Sequence, residues 1–460
     1  MLKWKALRVV SGGLLLTVSG CGMEAGDGEG SITEARSNLV PGGNDYGVAE
    51  TFHTSGSIDF TNPFFLALGT NPRTCMTCHN PNQGWTMTSD ANRQLFKDTD
   101  GLDPLFNLVD EGTRPDADIS TKKARKATFV PNTVDLAVTR FTRTIPVAGE
   151  FTVAPEDPSG FSDSIRVLNF RRPTAVANES KVSSILNTSG PVQDIPTTLA
   201  GLMRGAAQLH EQRDPANPVP VDQQNLGRDF MFGVVFAQII DNGAGRLDAG
   251  GALGGPTNLS TFPFTLGMND PMAAGFNPKV FNIFDAWEVF AVNSRHNDCE
   301  QDAKAAIYRG QEVFNFNQFT ISGVPGFTDL SGTDVPIQGT CSTCHNTPNV
   351  GGHSVIRMVD IGTADEPNCS PGLPILAVTK KADTTQTRRI CDMGRGGNGV
   401  WNDLAKFRVP PLRGLAARAP YFHDGQAKNI RAAVRYHEDR FNIDLSHGKR
   451  KDLEAFLGAL

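Results

Sequence analysis

Two stretches decide how this chain of 460 residues is read: RTCMTCHNP at 73–81 and QGTCSTCHNTP at 338–348. Each holds the pattern Cys-x-x-Cys-His. In such a pentapeptide each thiol can add across a haem vinyl group to form a thioether, and the His becomes the proximal iron ligand. Two intervening residues match the separation of the two vinyls. The sequence thus predicts one covalent haem c on Cys75 and Cys78 with His79 on its iron, and a second on Cys341 and Cys344 with His345. The competing reading is a single zinc site built from the four cysteines. The His after each pair and the signs of export argue against it, because exported free thiols tend to oxidise.

Outward from the motifs, the N-terminus reads as a targeting segment. Lys3, Lys5 and Arg8 precede an apolar run from Val9 to Val18, shorter than the about 20 residues that a membrane helix needs. Val18-Ser19-Gly20-Cys21 resembles a bacterial lipobox. Residues 1–20 are then a lipoprotein signal peptide, and Cys21 is lipidated as the first mature residue. An ordinary secretory signal with a chance Cys is the alternative. Gly22, where Asp would favour retention at the inner membrane, points to the outer membrane. The expected location is the periplasmic face of the cell envelope, with acyl chains as the only membrane attachment. Residues 21–50, rich in Gly and acidic groups, read as a flexible tether. Removing Lys3, Lys5 and Arg8 takes the formal charge from −6 to −9, which argues against nucleic acid as a partner.

Two haem motifs far apart suggest an N-terminal haem domain over 51–298 and a C-terminal one over 299–460. Ala303, Ala306, Ile307, Gly310 and Phe314 share a helical face, as do Leu453, Phe456, Leu457 and Leu460. Gly310 with Phe314 resembles the first helix of the cytochrome c fold, which crosses the last helix at a glycine. The expected class is therefore mainly α: two cytochrome c-type haem domains with long loops and a few short strands. Phe230–Ile240 reads as a buried helix, 245–278 as a long loop, and Lys126–Arg143 as a region of short strands or hairpins. Of the remaining cysteines, Cys369 and Cys391 bracket an insertion and are expected to form a disulfide. Cys299 is then an odd thiol, or replaces one of them.

FRVPPLRGLAARAPYFHDG at 407–425 is similar to the signature of the bacterial di-haem cytochrome c peroxidase superfamily. That superfamily also holds the methylamine-dehydrogenase maturation enzyme and rubber oxygenases. RRPTAVAN at 171–178 and DLEAFLGAL at 452–460 extend the likeness. The resemblance implies that the N-terminal haem meets peroxide or substrate and that the C-terminal haem passes electrons. It puts the distal ligand of the C-terminal haem at His437, counted from His423 in the HDG motif. His423 is the rival ligand, otherwise near a propionate, and His353 is a third. LAGLMRGAAQLHEQ at 199–212 resembles the segment that supplies a distal acid/base, here His210 or Glu211. His53 is a candidate cap on the first iron, and Arg413 a partner of a haem propionate. The carbonyls of Arg418 and Pro420 map to an inter-domain calcium. One departure stands out: 184–190 reads SILNTSG, without the Trp that family members commonly carry between the haems, and Trp85 is the nearest in sequence.

The function implied is reduction of hydrogen peroxide to water, with electrons from a small periplasmic donor. The alternatives are a di-haem oxygenase or protein-oxidising relative, or a non-enzymatic electron-transfer lipoprotein. Fold alone does not choose among them.

Overall fold

The computed structural model describes residues 42–185, 194–292 and 298–460. The signal peptide, Cys21, most of the tether, His296 and most of the SILNTSG stretch lie outside these. The helices are α1 (Cys75–Cys78), α2 (Ser89–Thr99), α3 (Lys122–Phe129), α4 (Ile195–Leu209), α5 (Val221–Gly233), α6 (Gly255–Thr261), α7 (Glu288–Val292), α8 (Cys299–Phe316), α9 (Cys341–Cys344), α10 (Ile430–Phe441) and α11 (His447–Gly458). The strands are β1 (Gly42–Asn44), β2 (Gly47–His53), β3 (Thr139–Thr144), β4 (Phe151–Glu156), β5 (Arg166–Arg171), β6 (Val234–Asp241), β7 (Gly245–Arg246), β8 (Phe319–Ile321), β9 (Ile337–Gly339), β10 (Met358–Val359), β11 (Ile375–Lys380), β12 (Thr387–Ile390) and β13 (Phe407–Arg408).

Helix accounts for 34% and strand for 16%, in several small antiparallel sheets. The class is therefore mixed α/β, and the expected mainly-α pair of cytochrome c-type domains is corrected. The physical reason lies in the segments between the motifs. They carry β-branched and aromatic residues that pair over long distances instead of remaining loops. β1, β2, β6 and β7 form a four-stranded sheet in that order, and β12, β11 and β4 form a three-stranded one. In the latter, Val153 of β4 pairs with Val378 of β11. The insertion of the second half is thus stitched to the first half.

Phe230–Ile240 is buried as expected but is not one helix. α5 stops at Gly233, and Val234–Asp241 continues as β6, which pairs with β2 from His53↔Val234 to Gly47↔Asp241. An apolar run buried on both faces has no period to separate helix from strand. The 245–278 stretch contains β7 and α6, and the 126–143 stretch is the end of α3 followed by the start of β3.

The expected helix crossing forms. α8 and α11 pack at Gly310, where an added Cβ would meet the Asp452 carbonyl at 1.9 Å. Only a glycine admits that approach. Phe314 and Phe456 lie in the crossing, and Phe281 packs edge-on against both, at 5.2 Å to each. Phe284 stacks on Trp287 at 4.8 Å in the same core. Two arginines tie the halves together reciprocally. Arg171, ending β5, donates to both Asp392 oxygens at 2.6 Å, and Arg408 donates to the Ser184 carbonyl at 2.7 Å.

Candidate functional site

Both Cys-x-x-Cys segments fold as one helical turn, α1 and α9, for the same local reason. Thr74 and Thr340 are extended N-caps, and each gives its backbone N–H to the hydroxyl of the threonine three residues on, Thr77 at 3.0 Å and Thr343 at 2.9 Å. The chain then leaves the helix at His79 and His345. Each ring is held through Nδ1 by a carbonyl six residues on: Trp85 at 3.2 Å for His79 and Gly351 at 2.6 Å for His345. A donor hydrogen bond at Nδ1 leaves the lone pair on Nε2, which is the tautomer an iron ligand requires. Burial lowers both rings to about 4, so both are neutral near pH 7.

The four motif cysteines are free thiols, whereas Cys369 and Cys391 are joined as a disulfide. Cys299, expected as an odd thiol, is not free. Cys75 packs against the Phe64–Trp85 core and Cys78 against the Phe96–Phe129 core. Cys341 packs against the α8–α11 core and Cys344 against the cluster around Phe327. The pairs do not converge into one four-thiolate site. Among the described residues, the one group with metal-ligand spacing is Cys391, His423 and Asp424, and the Cys391 sulfur is spent in the disulfide.

Near His345 stands His437, on the second half of α10. Its Nδ1 donates to Ala433 O at 2.8 Å, one turn back, which again leaves Nε2 free. His437 is close enough to His345 to disfavour protonation of the His345 ring. His353 also stands near His345, with Nδ1 against the Cys344 carbonyl at 2.7 Å and Nε2 unpartnered. His423 is turned elsewhere: its ring stacks on Phe407 at 4.5 Å, beside Cys391.

The first site repeats the arrangement. His210 ends α4, capping it with its N–H on Ala206 O at 2.8 Å, and its ring lies near enough to His79 to disfavour protonation there. Its Nδ1–H donates to the Asp110 carboxylate, which also takes the Arg73 guanidinium. Burial works against the Asp110 charge, yet the His210 hydrogen bond and Arg73 hold its carboxyl below the ordinary range. Next to it, burial pushes Glu111 well above that range, and Thr133 donates to it at 2.8 Å. Glu211 faces the other way. It accepts the Leu68 N–H at 2.5 Å and lies 3.9 Å from the Cys75 sulfur. Of the two expected acid/base candidates, His210 has the free nitrogen and Glu211 anchors the 68–71 loop. His53 stacks on Phe230 and has its Nε2 at 3.1 Å from that residue's carbonyl.

Arg413 is fully buried and donates to three carbonyls, of Leu460, Asn349 and Gly255. Arg172 is an arginine with spare capacity, as are Arg140 and Arg143. It gives one nitrogen to Met87 O, and its Nε has no partner. Burial lowers Arg172 to about 9 and Arg418 to about 10. Buried cations without carboxylates are costly, and haem propionates are the chemistry that would balance them. Free paired thiols and neutral imidazoles fit a haem at each turn, and the uncompensated Arg172 and Arg418 border the first, against Met87 O and Gly84.

Sequence reading missed Asp110, Arg73 and Arg172. It also missed that the backbone of Thr174 reaches His79 as that of Pro410 reaches His345. A partial signal existed for the last of these: Phe170-Arg171-Arg172-Pro173 and Phe407-Arg408-Val409-Pro410 share the pattern Phe-Arg-x-Pro, which matches Pro410 to Pro173, one residue before Thr174. No family model and no curated protein matches the chain.

Proposed function

We propose that this protein is a di-haem c-type peroxidase that reduces hydrogen peroxide to water, with two electrons from a small donor entering at the C-terminal haem. The observation that carries the reading is the doubled Cys-x-x-Cys-His turn, with four free thiols and a second histidine near each proximal one. Bound at these turns, haem would supply the redox chemistry, at its iron, that cleaves the O–O bond. The chain's own groups do the rest. Cys75 and Cys78, and Cys341 and Cys344, would form the thioethers, while Trp85 O and Gly351 O fix the rings of His79 and His345. His437, held from its own helix, would close the second iron with a strong imidazole, which suits a haem that only passes electrons.

His210 is different in kind. Its side chain is 45% exposed and tied to a carboxylate, which suits a group that exchanges protons with a small substrate. It would take a proton from peroxide and return it to the departing oxygen; with two further protons and two electrons the products are two waters. The superfamily likeness of 407–425 and 171–178 supports the same reading, as does the lipobox at Cys21 for a periplasmic, lipid-anchored protein. No helix among the described residues is long and apolar enough to cross a membrane.

A second reading is favoured by one observation. His210 lies near His79 as His437 lies near His345, so both irons could be six-coordinate in a purely electron-carrying protein. An EPR and UV-visible titration of the purified holoprotein with peroxide separates the two. A high-spin N-terminal haem that reacts stoichiometrically with peroxide is expected. Two low-spin haems that are inert to peroxide would refute the peroxidase reading.

A further inference from the structure

We infer that Asp110, clamped by Arg73, is a positioning residue that fixes the tautomer of His210 and so makes its Nε2 the proton acceptor beside His79. The inference deepens the peroxidase reading and takes from it that the N-terminal haem is the reactive one. Asp110 lies 100 positions before His210 and is 4% exposed. Its two oxygens have separate tasks, Oδ1 taking Arg73 Nη1 and Oδ2 taking His210 Nδ1. Arg73 is itself immobilised, with Nε on Pro104 O at 2.8 Å and Nη2 on Leu105 O at 2.6 Å. The Asp110 carbonyl receives the Arg140 N–H at 2.6 Å, so its main chain is pinned as well.

The clamp has a chemical consequence. A guanidinium has only donors, so whatever faces Arg73 must be an acceptor. In an Asp110→Asn variant the amide oxygen must turn to Arg73, and the NH2 group then faces His210. Nδ1 is forced to accept, the proton moves to Nε2, and the atom that should take a proton already carries one. The same shape is kept and the direction of the hydrogen bond is reversed. A merely structural role for Asp110 would not produce that reversal.

Cyanide is the probe. Near neutral pH it is HCN, and it binds ferric haem as the anion, so its proton must pass to a base as the iron–carbon bond forms; no electron is transferred. Stopped-flow association to the holoprotein reads that step without peroxide turnover. Asp110→Asn is expected to slow it about 100-fold, the lower end of what a positioned base contributes, with two haems still attached. His210→Ala should slow it alike, and the double variant should be no slower than His210→Ala alone. Asp110→Glu keeps an anionic acceptor and should stay near the native rate, and it serves if Asp110→Asn does not accumulate as holoprotein. A native rate in Asp110→Asn, multiplying losses in the double variant, or a 100-fold loss in Asp110→Glu overturns the inference. A wild-type haem that stays low-spin and refuses cyanide also overturns it. If wild-type protein binds cyanide as expected but does not reduce peroxide, the peroxidase reading fails while the role of Asp110 stands.

Discussion

Gly310→Ala is the perturbation whose size follows most directly from the geometry. The new Cβ would sit 1.9 Å from the Asp452 carbonyl oxygen, 2.5 Å from its carbon and 2.6 Å from the Phe456 Cβ. The first two are backbone atoms of α11, so no side chain can swing aside. The helices must separate until the closest contact reaches about 3.4 Å, the start of ordinary van der Waals distance. That movement loosens Phe314, Phe456 and Phe281 against one another. Overpacking of this kind costs typically about 1–3 kcal/mol or more, and lost aromatic contacts add to it. The intrinsic helical gain of Ala over Gly offsets about 1 kcal/mol. With about 1 kcal/mol for the loosened aromatic contacts, which cancels the helical gain, the expected net loss is about 1–3 kcal/mol. Gly201→Ala is the internal control. Gly201 lies within α4, exposed, with nothing within 4 Å of its would-be Cβ, so it should gain up to about 1 kcal/mol. Urea unfolding of the holoprotein, followed by far-UV circular dichroism, measures both. If Gly310→Ala unfolds within 0.5 kcal/mol of the native midpoint energy, roughly the scatter of surface substitutions, the close crossing is refuted.

Replacing Cys75 and Cys78 by Ala should remove one haem and replacing Cys341 and Cys344 the other; intact mass spectrometry counts them, and an unchanged mass beyond the substitutions in either variant contradicts the assignment. His437→Ala should convert the C-terminal haem from low-spin to high-spin in EPR, whereas His437→Met should stay six-coordinate at a raised potential; an unaltered spectrum in His437→Ala would move the ligand to His353 or His423. Stability should also depend on pH through Asp392. Burial opposes its charge, but Arg171 and neighbouring groups hold its folded value below 3.8, so the stability it contributes is present above about pH 3.8 and is lost as pH falls through the lower folded value. Asp392→Asn should cost about 3–5 kcal/mol near neutral pH, as when one partner of a buried pair is removed, and should flatten the acid limb; an acid limb identical to wild type would show that this pair does not couple to folding.

Local chemistry was readable and distant pairing was not. The two Cys-x-x-Cys-His turns are set within seven residues each by a pair of threonines, so the motif and its fold coincide. The α8–α11 crossing was readable because apolar spacing marks a helical face and a glycine on that face marks a close approach. The helix–strand switch at Gly233–Val234 was not, since burial on both faces erases periodicity. β4 gave no sign of its partner β11, because pairing over such a distance depends on the whole chain's path. The same holds at the site. His210 and Glu211 could be named together from one segment, but Asp110, which separates their roles, lies in a different stretch and carries no motif. Arg172 sat in a segment already singled out, yet sequence gave no reason to prefer it to Arg413 as a cation with an open nitrogen.

The pairing of β4 with β11 bears on how a protein of this kind can change over time. Two halves that each carry a Cys-x-x-Cys-His turn invite recombination, with one half exchanged for another. Here an exchange would leave β4 with an unpaired edge, an invitation to aggregation, and would strand Arg171 without Asp392. Phe281, Phe284 and Trp287, from the stretch before α8, would meet foreign helices in place of α8 and α11. The chain has therefore given up interchangeability of its halves, and new activities must arise by substitution around His210 and His437, not by shuffling.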